Sequence, residues 1–339
     1  MLNPGNSELE KYLIQHHFQI LRISYTGKKD IPRAIISTYK FLRKTKTEIV
    51  HTHLFDAGIV GLTAAKLAGI KKRIYTRHHS TYHHDYFPKA VKYDKLCNYL
   101  ATDIVAISAN VSKVLNEKEN VKLSKIHLIH HGFKLDLFEN VPSEDVELLR
   151  NKYNLTGREN HYPVIGVISR YTQWKGIQYI IPAFKLLLEQ YPDALLILAN
   201  AEGDYKSEIK QLLKSLPEKN YLEIAFEKEL FALYKLFDYF VHVPINNHAE
   251  AYGQVYIESL AAGIPTVFTL SGIANEFIKD HNNALIVPYQ DSDAIFNALI
   301  ELMKNKNLVS DIITKGKKDV NQTFSLHKMI VSLEKLYGE

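Results

Sequence analysis

The sequence predicts an α/β protein of two domains, each a parallel β-sheet flanked by helices. Three observations predict it. Strand-like apolar runs alternate with helix-length segments through both halves of the chain. The 339 residues, 46% apolar and only 23% charged, are enough to bury two ordinary cores, since domains run about 100 to 200 residues. Finally, residues 241–268 read as strand, polar loop, helix and strand, a βαβ unit whose loop at the strand's carboxyl end is the usual ligand position in open α/β sheets.

Taken in order, an amphipathic helix from Ile31 places Ala34, Ile35, Thr38, Phe41 and Leu42 inward. Residues 49–53 end a strand, 57–68 form a helix, 73–76 begin a second strand and 103–108 a third. In the second half, strands are expected at 164–169, 194–199, 221–225, 239–243, 266–269 and 284–287, with helices between them. The polar stretch 139–162, rich in turn signals, reads as a linker. The last segment, 326–337, places Met329, Leu333 and Leu336 on one helical stripe.

Charge is uneven. Residues 1–135 hold 22 Lys and Arg against 10 Asp and Glu, and the remainder 20 against 27, within a net charge of +5. The densest basic patch runs from Arg22 to Lys46 and reads either as a solvated helix face or as a surface drawn to an anionic membrane, where each basic residue gains about 1 kcal/mol. No nucleic-acid module accompanies it, so nucleic acid is not an expected partner. The single cysteine, Cys97, excludes an internal disulfide framework, fits a reducing cytoplasm and reads as a core thiol. No run of about 18 uncharged apolar residues suggests a membrane span, and the polar opening does not resemble a secretory signal.

The chemistry concentrates between Glu250 and Glu258, two carboxylates eight residues apart around Gly253. If residues 253–262 are helical, Glu250 precedes the helix and Glu258 lies on it, about two turns along, so that one cavity can receive both. Such a pair can equally be two solvated charges. The helix opening at Tyr252, Gly253, Gln254 and Val255 presents unpaired N–H groups and a positive dipole end to an anion. Carboxylates for sugar hydroxyls beside an anion-binding helix start point to a nucleotide-sugar site.

These motifs, with Val164-Ile-Gly-Val-Ile-Ser-Arg170-Tyr-Thr-Gln-Trp-Lys175-Gly176, the segment Ser271-Gly272 to Pro288, residues 101–108 and Ile129-His-His-Gly132, resemble a retaining glycosyltransferase of family 4, with its E-x7-E motif and GT-B fold, over most of the chain. The resemblance implies two Rossmann-like domains with parallel sheets facing across a cleft. Residues 1–140 would bind the acceptor, residues 141–322 the nucleotide-sugar donor, and the helix in 323–339 would pack back on the first domain. It implies sugar transfer from a nucleotide-diphosphate donor to a saccharide or lipid-linked saccharide acceptor, in cell-surface polysaccharide or lipopolysaccharide synthesis. Localisation would be cytoplasmic, at the inner face of the membrane.

By the same resemblance Glu250 faces the donor sugar and Glu258 the ribose, and Arg170 and Lys175 meet the charge that builds on the departing diphosphate. No Asp-x-Asp motif stands out, so neither a metal nor another cofactor is expected. His78, at the end of a strand, is the candidate active-site histidine. The other histidines of this half, among them His51, His53, His83, His84, His130 and His131, lack carboxylates or cysteines at ligand spacing. His131 stands where the family commonly carries Asn. The donor base would lie near residues 226–230. One departure concerns the start: residues 1–8 open at a loop, as though the family's first strand were missing. Either the start is misassigned or the first domain is altered, and sheet integrity favours the former. Gly5 would then be a remnant of a donor-binding loop. Two other classes stay open, a sugar-nucleotide epimerase of the same fold and a non-catalytic nucleotide-sugar-binding or partner subunit.

Overall fold

The computed structural model describes residues 1–2, 5, 7–155 and 163–338. The chain divides into two compact units, residues 1–130 with 332–339, and residues 131–331.

The first unit is built on four strands, β1 (Ile49–His53), β2 (Lys72–Arg77), β3 (Asp103–Ala106) and β4 (Ile126–Leu128), in the order β1-β2-β3-β4 with every neighbour parallel. Parallel pairing needs a crossover, and the helix Phe55–Leu67 supplies it between β1 and β2, burying Ile59, Val60, Leu62, Ala64 and Ala65. The helix Ile31–Lys44 packs on it through Ala34 and Leu42, while Arg33, Lys40, Arg43 and Lys44 stay exposed. Cys97 is fully buried and its thiol is pushed up to about 12 by burial, as suits an inert core thiol. At the start of the chain, Leu2 bridges to Ile23 in parallel and the Met1 amino group donates to the Leu21 carbonyl.

The second unit holds six parallel strands, β5 (Val164–Ile168), β6 (Leu195–Ala199), β7 (Tyr221–Ile224), β8 (Tyr239–His242), β9 (Thr266–Phe268) and β10 (Leu285–Ile286), in the order β10-β9-β8-β5-β6-β7. All five residues of β6 are buried, as expected of a strand covered on both faces. The helices Ile177–Gln190 and Ser292–Lys304 pack together over the sheet through Ile180, Phe184, Leu187, Ile295 and Leu299. Strands β5, β6 and β7 run outward in one direction and β8, β9 and β10 in the other, so the order reverses between β5 and β8. In an open α/β sheet that reversal leaves a crevice at the carboxyl ends of the two strands.

Two sequence expectations need correction. Within the stretch taken as a linker, Ser143–Lys152 is a helix, anchored by buried Leu149 and by Lys152 donating to buried Glu227 at 2.7 Å. Strand β4 was not expected, because three residues are too few to show a period. Residues 156–162 of the same stretch lie outside the described residues.

Candidate active site

Arg170 and Lys175 follow β5, and Glu250 follows β8, so the β5–β8 crevice collects side chains from both sides of the switch point. Lys175 Nζ donates to Glu250 Oε1 at 2.5 Å, with both side chains largely buried. The Glu250 backbone N–H donates to Ser271 Oγ at 2.9 Å, which fixes the residue from behind. Burial alone would raise the Glu250 carboxyl, but the Lys175 ammonium outweighs it and holds Glu250 ionised far below the ordinary carboxylate range. Arg170 is exposed and makes no ion pair among the described residues, so its guanidinium is available to a phosphate.

The loop carrying Lys175 is locked to β8 by Gly176. Its φ is +77°, and a Cβ there would lie 1.9 Å from the Val243 carbonyl oxygen, so only glycine fits. Gly253 has φ +88° and caps the helix Gln254–Ala261, whose opening amides have no partner within the helix. Glu250 thus precedes that helix and Glu258 lies on it. Glu258 is buried, its Oε2 accepts from the Tyr234 hydroxyl at 2.9 Å, and burial raises its pKa. The neighbouring Tyr252 hydroxyl donates to the His131 carbonyl at 3.1 Å, while Gln254 is exposed and Val255 half-buried.

In the first unit His78 stands directly after β2, half-buried, with Nε2 at 3.1 Å from His53 Nδ1. The His53 ring lies tilted against that of His51, their centres 4.3 Å apart, and His51 is bonded to Thr76 Oγ1 at 2.6 Å and to the Tyr337 hydroxyl at 2.7 Å. Burial, then the neighbouring His53 and His78, push His51 down to about 3, so it is neutral at physiological pH. Gly5 is exposed, and nothing lies within 4 Å of where a Cβ on it would stand.

Residues 150–319 match the family described as glycosyl transferases group 1, and residues 2–137 the glycosyltransferase family 4 domain. The chain belongs to the group 1 glycosyl transferases. The transferase is 26% identical to the capsular polysaccharide biosynthesis glycosyltransferase CapM of Staphylococcus aureus, over 90% of this chain and 80% of that protein. It is 25% identical, over 90% of this chain and 79% of the other, to an Escherichia coli UDP-Gal:alpha-D-GlcNAc-diphosphoundecaprenol alpha-1,3-galactosyltransferase. It shares the fold of Anabaena HepE, solved with UDP and glucose, with a TM-score of 0.83 at 20% identity, covering 99% of this chain and 90% of that one. The two parallel-sheet α/β units are those of the GT-B fold, and the transferase is an enzyme that transfers sugars.

Two constellations of the transferase were not singled out from sequence. His242, the last residue of β8, is fully buried beneath Glu250, with Nε2 3.2 Å from Glu250 Oε1 but without the alignment of a hydrogen bond. Burial keeps its imidazole neutral. A strand ending in a lone histidine carries no spacing signal. In the first unit Arg77, fully buried, pairs with Glu119 at 2.7 Å and Asp94 at 3.3 Å. Asp94 also takes His79 Nε2 at 3.2 Å and His83 Nδ1 at 2.7 Å, and the donor atoms of these three residues lie within 4.8 Å of one another. The sequence offered no carboxylate at ligand spacing, yet Asp94 reaches both histidines through the fold, because its helix Val91–Leu100 returns it to the end of β2. The Arg77 guanidinium already neutralises that carboxylate.

Proposed function

We propose that the transferase moves a sugar, with retention of configuration, from a nucleoside-diphosphate donor to a saccharide or lipid-linked saccharide acceptor in cell-surface polysaccharide or lipopolysaccharide assembly, without a metal. The observation that carries this reading is the β5–β8 switch point. There Arg170 and Lys175 follow β5, Lys175 pairs with the anchored Glu250 carboxylate after β8, and the Gly253-capped helix start lies beside that carboxylate. The two cations and the helix amides suit a diphosphate leaving group, and the Glu250 carboxylate suits a sugar hydroxyl as its donor. Glu258 is assigned to the ribose through Oε1. The bond from C1 to the diphosphate breaks as the acceptor oxygen bonds C1 on the same face, and the acceptor proton passes to the departing phosphate. His78 serves the acceptor side.

Relatives support the acceptor class. CapM is named for capsular polysaccharide, the galactosyltransferase for a diphosphoundecaprenol acceptor, and a further relative from Acholeplasma laidlawii is an alpha-monoglucosyldiacylglycerol synthase. Among the described residues no helix is long and apolar enough to cross a membrane. The basic first half suits peripheral contact with the anionic inner face.

Calorimetry with a panel of nucleoside diphosphates, with and without EDTA, tests the donor assignment. One nucleotide should bind independently of metal and lose affinity at least tenfold in Lys175→Ala. Binding that needs a divalent cation, or that Lys175→Ala leaves intact, would overturn it. NMR of the product anomer would settle retention.

A further inference from the structure

At the carboxyl ends of β1 and β2 in the first unit lies a groove of about 510 Å³, between the start of the helix Phe55–Leu67 and the turn Pro88–Ala90. That volume is within the range of pockets that enclose a small organic ligand. Its apolar wall is Phe55, Tyr86 and Phe87, of which Tyr86 and Phe87 are each 53% exposed. Two neighbouring large aromatics left half in water need a covering partner more than scattered single residues do. Its polar side is Lys28, Lys89 and Lys92, and no acidic residue lines it. The Lys28 and Lys92 ammonium groups lie 5.4 and 5.0 Å from the centre of the Tyr93 ring. None of the three lysines is ion-paired among the described residues, so the positive charge is open to an external anion.

An apolar wall beside three unneutralised ammonium groups fits a molecule with a hydrocarbon chain and an anionic head. A neutral lipid would leave the lysines unanswered, and inorganic phosphate would leave the aromatics wet. We propose that this groove binds the head end of a phosphate-bearing lipid acceptor, with the phosphate or diphosphate on Lys28, Lys89 and Lys92 and the first carbons of the chain on Phe55, Tyr86 and Phe87. This rests on the reading of a lipid-linked acceptor. It goes beyond that reading by assigning the lipid part, rather than the saccharide, to a particular site.

The test is calorimetry on the full chain with farnesyl diphosphate as probe and uridine diphosphate saturating, so that the probe's diphosphate is kept off the donor site. The unsubstituted chain should bind farnesyl diphosphate at least tenfold more tightly than inorganic diphosphate or octyl glucoside. Lys89→Gln with Lys92→Gln, and separately Tyr86→Ser with Phe87→Ser, should each weaken the probe about tenfold or more while far-UV circular dichroism is unchanged. Equal binding by both variants, or inorganic diphosphate binding as tightly as the farnesyl compound, would overturn the proposal. So would lysine-dependent recruitment to phosphatidylglycerol vesicles with no effect on farnesyl diphosphate, which would make the groove a contact for bulk membrane. Failure of uridine diphosphate to bind in the same series would count against this nucleotide as donor, while the farnesyl diphosphate titrations would still be read.

Discussion

Replacing Lys175 by methionine strips a buried carboxylate of its cation. Lys175 Nζ lies 2.5 Å from Glu250 Oε1, with the two side chains 16% and 10% exposed, so solvent can replace little of the lost interaction. Removing one partner of a buried pair costs about 3–5 kcal/mol, and the residual exposure of Lys175 argues for the lower end, about 3 kcal/mol at pH 7.5. The pH dependence has a definite sign. In the unsubstituted chain Glu250 is depressed, so its contribution is present above the unfolded value near 4.5 and is lost only as pH falls toward the strongly acid folded value. In Lys175→Met burial dominates and the folded value moves above the unfolded one, so the penalty appears above about pH 4.5 and grows toward neutrality. Stability should therefore differ by about 3 kcal/mol at pH 7.5 and by less at pH 4.5, where the carboxyl of the substituted chain is protonated, and the two chains should converge only as pH falls toward the strongly acid folded value of Glu250. Trp174, the only tryptophan, adjoins Lys175, so its fluorescence in a urea titration reports unfolding of this unit. The double variant Lys175→Met with Glu250→Gln should recover most of the loss at pH 7.5, since no uncompensated charge remains. A loss independent of pH, or a double variant no more stable than the single one, would refute the account of an ion pair holding Glu250 charged.

Gly176→Ala forces a Cβ to within 1.9 Å of the Val243 carbonyl oxygen at a left-handed φ. It should cost about 2 kcal/mol or more by chemical denaturation and abolish nucleoside-diphosphate binding. Tyr234→Phe removes the hydroxyl that donates to buried Glu258, whose pKa is already raised by burial. The loss, about 1–2 kcal/mol, should be larger at pH 8 than at pH 5 because it is the ionised carboxylate that loses its donor, and urea titrations at the two values check this. Burial lowers the His242 pKa, so its NMR resonances, assigned by loss in His242→Gln, should titrate at a lower pH than those of an ordinary imidazole. Below about pH 6.5 the unfolded chain takes a proton that the folded ring refuses, and stability should decline there. Arg170→Ala, at an exposed position, should leave stability within about 0.5 kcal/mol and weaken nucleoside-diphosphate binding by about tenfold or more in calorimetry.

Most strands were legible because each is a short apolar run between turn residues, as Val164–Ile168 and Leu195–Ala199 show. The relation of Glu250 to Glu258 was legible too, since helical spacing and the glycine before it are local facts. The helix Ser143–Lys152 was not. Its composition is polar, and part of what holds it, Lys152 on Glu227, is a contact 75 residues away. The same distance effect hid the Arg77 network, where Glu119 lies 42 residues from the guanidinium it neutralises. His242 escaped because its meaning depends on a carboxylate that folds back above it. What the sequence conceals is therefore the set of partners brought together by tertiary structure, and in both units those partners are titratable.

The absent side chain of Gly176 has a consequence for anyone who would redesign donor choice. Because its backbone rests directly on the Val243 carbonyl, the segment bearing Arg170 and Lys175 and the segment leading to Glu250 are packed together as one cassette. Grafting either one alone from a relative would import a backbone shaped for a different neighbour. Residues 169–176 and 243–253 would have to be exchanged together, as one transplant, for a new nucleotide to find a site already assembled.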